Sequence, residues 1–407
     1  MDFTLTDDHR ALRDAVQRFC EASVPAERRG EAEPPTLARE RHAALGALGV
    51  LGLSLPEEDG GSGLPNEHLW LVQQALGEAL SQAPVLANAV LVAPLLAALA
   101  PEAVRADWLP ALARGERFAA LALHETGSRD GLWPIATRAE PATGLGPAAV
   151  AGERAALAGE ASAVAGQAGA AAGQPGWRLD GRKGLVLGGD LAEGFIVATR
   201  TAGAPADRDG VTLFWLPADA PGLTRRAIRL LDQRGAAELH LDGVWLPDTA
   251  RLGPLHGAAP WLEAARARAQ AALCADSAGA LQALLRLVVQ HLKDRRQFGA
   301  PLAKFQVLQH RVADMAIALE QLQSMALVAT LALDDDETAR RDQRVAAAKL
   351  LAAQWGRAQG LAAIQLFGAM GMTDECRVGH YAKRLITNGL LFGDAAAQLT
   401  RLAATPA

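Results

Sequence analysis

The sequence predicts an α+β multidomain fold in which an N-terminal helical domain and a C-terminal four-helix-bundle domain flank a middle antiparallel β-barrel-like domain. The hydrophobic pattern changes from helical to strand-like near residue 118 and returns to helical near residue 253. A chain of 407 residues with 50% hydrophobic content is long enough to bury a large core and to form two or three domains. We therefore expect domains at residues 1–118, 119–252 and 253–407.

The first domain shows helical periodicity from its start. Thr6 stands directly before an amphipathic pattern, where its hydroxyl is suited to cap the first free backbone N–H groups. Further helical patterns cover Trp70 to Leu80 and Ala103 to Ala113. The glycine-rich stretch at residues 56–63 matches no phosphate-binding motif.

The middle domain carries strand signals. Apolar and polar residues alternate from Ala237 to Asp242, and residues 195–197 and 211–216 are apolar runs of strand length. Asp180-Gly181 lies between two apolar runs and predicts a hairpin turn. Residues 139–176 are rich in alanine and glycine, which predicts a flexible insertion.

The third domain is expected to be long helices from Trp261 onward, with breaks near Gly299, at residues 334–336 and at residues 368–371. Residues 295 and 296 are arginines, which suit the last turn of a helix, and Gly299 permits a left-handed cap. Pro301 prevents the helix from continuing. Taken alone, this bend is consistent with a capped helical hairpin and nothing more.

Composition excludes several classes of protein. The net charge is −5 and the basic residues are dispersed, so we expect no nucleic-acid partner. Cys20, Cys274 and Cys376 are far apart and show no zinc-binding spacing, which predicts reduced thiols and no metal site. The acidic start is unlike a signal peptide, and the apolar run Ala89 to Ala100 is too short for a bilayer. A cytoplasmic protein without a membrane span is expected.

The bend belongs to a longer motif. Arg295-x-Gln297-Phe298-Gly299-x-Pro301, followed by Phe305-Gln306-x-x-Gln309 and residues 313–315 (Ala-Asp-Met), resembles the signature of the acyl-CoA dehydrogenase family of flavoproteins. The resemblance implies that FAD is the cofactor and that this corner reaches it across a subunit interface. It also implies that Arg295 and Gln297 meet the pyrophosphate and that Phe298 and Phe305 pack near the adenosine. A guanidinium forks onto phosphate oxygens, which fits this role.

A second motif supports the same family. Residues 365–371 (Gln-Leu-Phe-Gly-Ala-Met-Gly) are similar to the family's Gln-x-x-Gly-Gly-x-Gly, which implies that Gln365, Gly368 and Ala369 lie close to the dinucleotide. Ala369 replaces the middle glycine, and an ordinary helix cap is the alternative interpretation.

A third run is a weaker match. Residues 124–128 (His-Glu-Thr-Gly-Ser) resemble a shortened form of the family's Thr-Glu-Pro-x-x-Gly-Ser, without its proline. The resemblance implies an acyl-CoA contact for Ser128. An ordinary turn serine is the alternative.

The catalytic base of the family is missing. Such enzymes remove the α-proton of an acyl-CoA with a glutamate while the β-hydrogen leaves as hydride to the flavin. The usual Tyr-Glu-Gly-Thr run appears as Leu-Phe-Gly-Asp at residues 391–394, so Phe392 replaces the glutamate. The family's alternative base position falls at or beside Ala269 and Gln270, which hold no carboxylate.

Two groups near this position are candidates for part of the chemistry. The resemblance implies that the backbone N–H of Phe392 still bonds the thioester carbonyl. Asp394 is the nearest carboxylate and a candidate base, and a loop-capping aspartate is the alternative.

The family resemblance also implies the partners. These are an acyl-CoA substrate, an electron acceptor such as an electron-transfer flavoprotein, and a homologous chain in a homo- or hetero-oligomer, dimer or tetramer. Residues 372–385 and 391–394 are similar to the small subunit of pimeloyl-CoA dehydrogenases, which implies a two-chain enzyme and leaves a base on a sister chain as the alternative to Asp394. Three functions stay open: an acyl-CoA dehydrogenase or one subunit of it, a non-catalytic flavin-binding partner subunit, and an altered reaction such as an oxidase or an elimination.

Overall fold

The N-terminal part of the chain is helical, as predicted. The computed structural model describes residues 5–25, 28–125, 127–128, 132–143 and 174–404. Thr6 is the N-cap of the first helix, and its hydroxyl accepts a hydrogen bond of 3.2 Å from the backbone N–H of His9. The helices are α1 (Asp7–Ser23), α2 (Pro35–Ala47), α3 (Asn66–Glu78), a π-helical segment (Leu86–Val92) that leads into α4 (Ala93–Leu99), and α5 (Glu102–Ala113).

The middle of the chain forms an eight-stranded sheet with the order β6-β7-β3-β2-β4-β5-β8, and β1 pairs with β4. Most neighbours are antiparallel, as predicted, but β1 and β2 both pair with β4 in parallel, so the sheet is mixed. Both strands are distant from β4 in sequence, so no tight turn forces them into the opposite direction. The strands are β1 (Ala119–Ala122), β2 (Arg138–Thr143), β3 (Pro175–Leu187), β4 (Gly194–Arg200), β5 (Val211–Pro217), β6 (Leu223–Arg229), β7 (Gly235–Pro247) and β8 (Arg251–Leu252).

The predicted hairpin turn at Asp180-Gly181 is wrong. Both residues lie inside β3, where the register against β7 shifts between Leu179 and Gly181. A Cβ atom at Gly181 would lie 2.6 Å from the side-chain oxygen of Thr137, so glycine is required by close approach of a neighbouring chain segment rather than by a turn.

The predicted insertion is described only at its ends. Residues 139–143 and 175–176 belong to β2 and β3, which pair with each other. Residues 144–173 lie outside the described residues.

The C-terminal part is helical. Its longest helix packs against α3 and against three later helices. A short hairpin and a 3-10 segment interrupt the series near the predicted breaks. The elements are α6 (Ala259–Asp294), β9 (Arg296–Gln297), β10 (Ala300–Pro301), α7 (Gln306–Leu331), α8 (Thr338–Phe367), a 3-10 segment (Gly368–Met372), α9 (Arg377–Leu390) and α10 (Ala395–Ala404).

Two helical stretches, Ala259–Asp294 and Gln306–Asp334, are long and apolar enough to cross a membrane by length and composition alone. The prediction from the run Ala89 to Ala100 missed them, because their apolar character is spread over many alanines rather than concentrated in one run. The apolar window of the first stretch is 72% buried inside the protein. A core helix passes the same test, so these stretches are weak indications of a span.

A buried network of charges joins the three parts of the chain. The Arg384 guanidinium donates to both carboxylate oxygens of Asp276, at 2.8 and 2.7 Å, and to Asp232 at 3.2 Å. It also donates to the backbone carbonyl of Ser81 at 3.0 Å. Because buried charges are costly unless they are paired, these contacts hold α6 and α9 against both the sheet and the N-terminal helices.

Candidate functional site

The arginine corner is a β-hairpin rather than a helix cap. Helix α6 ends at Asp294, and Arg295 is already extended (φ −73°, ψ 122°). Residues 296–297 pair with residues 300–301, which leaves Phe298 and Gly299 as a two-residue turn. Both turn residues have positive φ, 52° and 79°, as this type of tight turn requires. Gly299 is therefore left-handed as predicted, but it serves a hairpin.

The hairpin presents its side chains outward. Phe298 is 88% exposed and occupies a left-handed conformation that is uncommon for an aromatic residue. Arg295 and Gln297 are exposed, and neither side chain has a hydrogen bond or ion pair among the described residues. Phe305 is partly exposed, and its ring lies edge-on to Phe298 with centroids 6.1 Å apart. These donors and rings are free to meet a ligand or a partner chain.

The second predicted motif lies beside the first. His291, in the last turn of α6, stacks on Phe367 with ring centroids 4.0 Å apart and an angle of 16°. This contact brings residues 365–371 to the same end of the helical domain as the corner. Gln365, Gly368 and Ala369 are exposed, and a Cβ atom at Gly368 would meet no other atom within 4 Å. The backbone here is open to close approach, which fits a dinucleotide.

The pocket beside Phe392 is apolar and nearly filled. Its cavity is about 10 Å³, roughly the room that one water molecule needs. Phe392 is 4% exposed, and its ring packs edge-on against His124 at 5.0 Å between centroids. No carboxylate belongs to the described wall, which consists of Leu91, Leu121, Leu123, His124, Leu185, Leu187 and Phe392.

The acid nearest in sequence to this wall is already paired. Glu125 accepts a 2.6 Å hydrogen bond from the fully buried ammonium of Lys183, and 2.7 and 2.9 Å bonds from the backbone N–H groups of Ala136 and Thr137. Burial raises the pKa of Glu125, but the charge of Lys183 and these hydrogen bonds outweigh it and hold the pKa below its ordinary value. Burial lowers the pKa of Lys183 to about 8. This pair fixes the strand and loop that carry His124.

His124 itself is neutral. Burial, with the nearby charge of Lys183, lowers its pKa to about 4. Its Nδ1 atom is buried and has no hydrogen-bond partner among the described residues. A neutral imidazole whose pKa lies this low is a poor proton acceptor at neutral pH.

The loop that carries Phe392 is held from behind by polar side chains that sequence reasoning missed. The buried ammonium of Lys349 donates to the carbonyls of Gly389 and Gly393 at 2.9 and 3.1 Å. Gln398 donates to the carbonyl of Gly393 at 3.1 Å. In the sequence, these polar residues are distinguished only by the apolar residues around them. That pattern does not identify their hydrogen-bond partners.

The two remaining predicted residues are placed in capping or turn geometry. Asp394 accepts a hydrogen bond of 3.0 Å from the backbone N–H of Ala397 in the first turn of α10, and it does not line the pocket beside Phe392. The hydroxyl of Ser128 donates to the carbonyl of Trp133 at 3.3 Å. Both arrangements match the alternatives left open by the sequence, and their chemical roles stay predictions.

One group of possible metal ligands was not predicted. His9, Glu67 and His68 bring one ligand atom each within 4.8 Å of one another at the junction of α1 and α3. His9 also takes part in the cap of α1 and His68 contacts the carbonyl of Pro65. This group lies on different elements from the corner and from the Phe392 pocket.

Comparison with known proteins gives matches at the level of the family. Residues 6–116 match the family model of the acyl-CoA dehydrogenase N-terminal domain, and residues 263–405 match that of the acyl-CoA dehydrogenase C-terminal domain. The chain is 28% identical to benzylmalonyl-CoA dehydrogenase of Aromatoleum aromaticum over 79% of this chain and 77% of that protein. It is 26% identical to acyl-CoA dehydrogenase FadE27 of Mycobacterium tuberculosis over the full length of both chains.

Solved structures show the same fold. The crystal structure of the ChsE4-ChsE5 complex from Mycobacterium tuberculosis superposes with a TM-score of 0.78 at 25% identity, covering all of both chains. The matched models span more than half of the present chain. The chain therefore belongs to the acyl-CoA dehydrogenase family of flavoprotein oxidoreductases.

Proposed function

We propose that this chain is one subunit of a two-chain, FAD-dependent acyl-CoA dehydrogenase that oxidises an acyl-CoA thioester at the α,β carbon bond. Its exposed corner completes the FAD site of a homologous partner chain, and the partner supplies the carboxylate that removes the α-proton. We further propose an electron-transfer flavoprotein as the acceptor and a cytoplasmic location, for which the three free cysteines are the supporting observation.

The observation that carries the proposal is the contrast between the two halves of the site. The corner presents a free guanidinium, a free amide and an exposed ring, which suit a pyrophosphate and an adenine. The pocket beside Phe392 instead has an apolar wall, a paired neighbouring acid and almost no free volume. A subunit whose corner is open to FAD but whose pocket beside Phe392 is filled needs a partner chain to complete the reaction.

Exposed apolar side chains near the corner support such a partner. Phe298, Met370 and Met372 are 88%, 45% and 77% exposed, and the two methionines lie in the 3-10 segment that follows Phe367. Exposed apolar side chains that cluster in one patch commonly mark a protein interface. The solved ChsE4-ChsE5 complex, whose title names two proteins, further supports an assembly of two different chains.

When bound, FAD would supply the acceptor for the β-hydrogen as hydride, and the partner's carboxylate would take the α-proton, with an enoyl-CoA as the product. We assign Arg295 and Gln297 to the pyrophosphate, and Phe298 and Phe305 to the adenosine. Gln365, Gly368 and Ala369 provide the neighbouring surface. The N–H of Phe392 has no acceptor among the described residues, so it is free to stabilise an enolate oxygen if a thioester displaces the ring.

The test is to purify the chain alone and together with a co-expressed homologous chain, and to record flavin absorbance. We expect the pair to be yellow and to bleach anaerobically with an acyl-CoA, using butyryl-, octanoyl- and pimeloyl-CoA as probes. The chain alone should not bleach. If the chain binds FAD stoichiometrically and its flavin bleaches without a partner, the proposal that two chains share the site is refuted. Rapid oxygen consumption would indicate an altered reaction.

A further inference from the structure

A second cavity, separate from the pocket beside Phe392, is much larger. It measures about 500 Å³ and is bounded by the loop before α3, by α3 itself, by the π-helical segment and by α6. Among the described residues, no side chain lines both this cavity and the Phe392 pocket. Its walls combine apolar groups such as Leu69, Val90 and Ala271 with a few polar side chains.

The polar groups in this wall are mainly donors without acceptors. Gln73 is 4% exposed, and its side-chain N–H group is buried with no hydrogen-bond partner among the described residues. The indole N–H of Trp70, in the same wall, is also buried and has no hydrogen-bond partner among the described residues. Unsatisfied buried donors cost free energy, so two of them in one cavity wall indicate a missing acceptor.

Arg268 adds a charge to these donors. It lines the same cavity from α6, is only partly exposed, and makes no hydrogen bond or ion pair with any described residue. Burial and the neighbouring charge of Arg341 lower the pKa of Arg268, while Asp334 raises it. Partly buried arginines are normally paired, because desolvation of a guanidinium is costly.

The one acid in the wall is already engaged. An oxygen of Asp334 accepts a hydrogen bond of 2.7 Å from the side-chain amide of Asn66. Asp334 therefore leaves the excess of donors in place, although its charge opposes an anionic ligand that enters the cavity.

We infer that this cavity binds an amphipathic carboxylate, with its carboxylate at Arg268 and Gln73 and its apolar body against Leu69, Val90 and Ala271. A carboxylate is the acceptor that a guanidinium fork and an amide N–H satisfy together. The apolar remainder of the wall requires a hydrocarbon body rather than a small inorganic anion. This inference does not depend on the proposed function, because it involves neither FAD nor turnover.

The test is calorimetric titration of the full chain, or of its complex if it purifies as one, with octanoate as the probe and octan-1-ol as the uncharged control. We expect one octanoate per chain and clearly weaker binding of octanol. Arg268→Gln should weaken octanoate binding by roughly tenfold or more, because it removes a charged donor. Arg357→Gln, which removes an exposed arginine on α8, should leave the affinity unchanged.

A second variant tests the sign of the electrostatic argument. Asp334→Asn keeps the shape of the side chain but removes the opposing negative charge, so octanoate binding should become tighter. If Arg268→Gln does not fold, Asp334→Asn still tests the inference. The inference is overturned if octanoate does not bind, if octanol binds equally well, or if neither charge substitution changes the affinity.

Discussion

The side-chain amide of Gln270 donates a hydrogen bond of 2.7 Å to the carbonyl oxygen of Phe392. The family resemblance implies the usual base position at Phe392 and an alternative one at or beside Ala269 and Gln270, so this bond joins the two neighbourhoods. Gln270 is 1% exposed and Phe392 has a positive φ of 56°, so the bond also holds an unusual backbone conformation. A glutamate at position 270 would lack the amide donor of this bond, whereas the acceptor at position 392 is a backbone carbonyl that any side chain leaves in place.

Replacement of Arg295 by alanine should weaken FAD retention in the assembled enzyme. The substitution removes a charged donor that we assign to the pyrophosphate, a contact worth roughly 1.5–3 kcal/mol. The measurement is the flavin dissociation constant of the complex, which should rise by about ten- to hundredfold. Arg296→Ala removes the neighbouring exposed arginine and is the matched control. Equal effects of the two substitutions would contradict the placement.

Replacement of Phe392 by alanine should destabilise the fold strongly. Its ring is 4% exposed and belongs to the core that joins α6 to the sheet. Loss of a buried phenylalanine costs roughly 3–5 kcal/mol, because a cavity remains. Urea unfolding of the isolated chain measures this cost.

Phe298→Ala is the control for that substitution, since Phe298 is 88% exposed. Its effect on the unfolding free energy of the isolated chain should stay within about 0.5 kcal/mol. A small cost at Phe392 would mean that the ring is dispensable and that the pocket can open.

Local signals in the sequence were sufficient for the order of the elements and for the break at Gly299, but not for the hairpin that forms there. The Thr6 cap, the break at Gly299 and the alternation at residues 237–242 each depend on a few adjacent residues, and each is present in the structure.

Contacts between distant segments could not be predicted in this way. The partners Arg384 and Asp276 are 108 residues apart, and Lys183 and Glu125 are 58 apart. Periodicity indicates which face of an element is buried, but not which charges meet inside. The prediction of a turn at Asp180-Gly181 was wrong for a similar reason. Glycine is required there because Thr137 approaches closely, and the local sequence does not show that contact.

Substitutions of Asp394 distinguish a catalytic base from a helix-capping residue. Its carboxylate accepts from the N–H of Ala397, and asparagine at a cap is nearly as good as aspartate. We therefore expect Asp394→Asn to leave both the stability and the rate of flavin reduction in the complex unchanged. Asp394→Ala should lower the unfolding free energy by about 1 kcal/mol through loss of the cap. If instead Asp394→Asn folds normally but abolishes flavin reduction, Asp394 is the base.

Acidification should destabilise the chain through His124. Burial lowers its folded pKa to about 4, against an ordinary value of 6.5. Between these values the unfolded chain binds more protons than the folded chain, so stability is fully present above pH 6.5 and is lost as the pH falls toward 4. For a group with these two pKa values, the loss between pH 7 and pH 5 is about 2 kcal/mol.

Urea unfolding at pH 7 and pH 5 measures this loss, and His124→Gln should reduce it because glutamine does not titrate. His310→Gln, at an exposed position on α7, is the control and should leave the pH dependence as it is in the natural chain. The buried His42, whose pKa burial lowers to about 3, should contribute a loss of the same sign and is the reason that His124→Gln removes only part of the effect. Identical pH dependence in the natural chain and in His124→Gln would show that the ring beside Phe392 is not held neutral by burial.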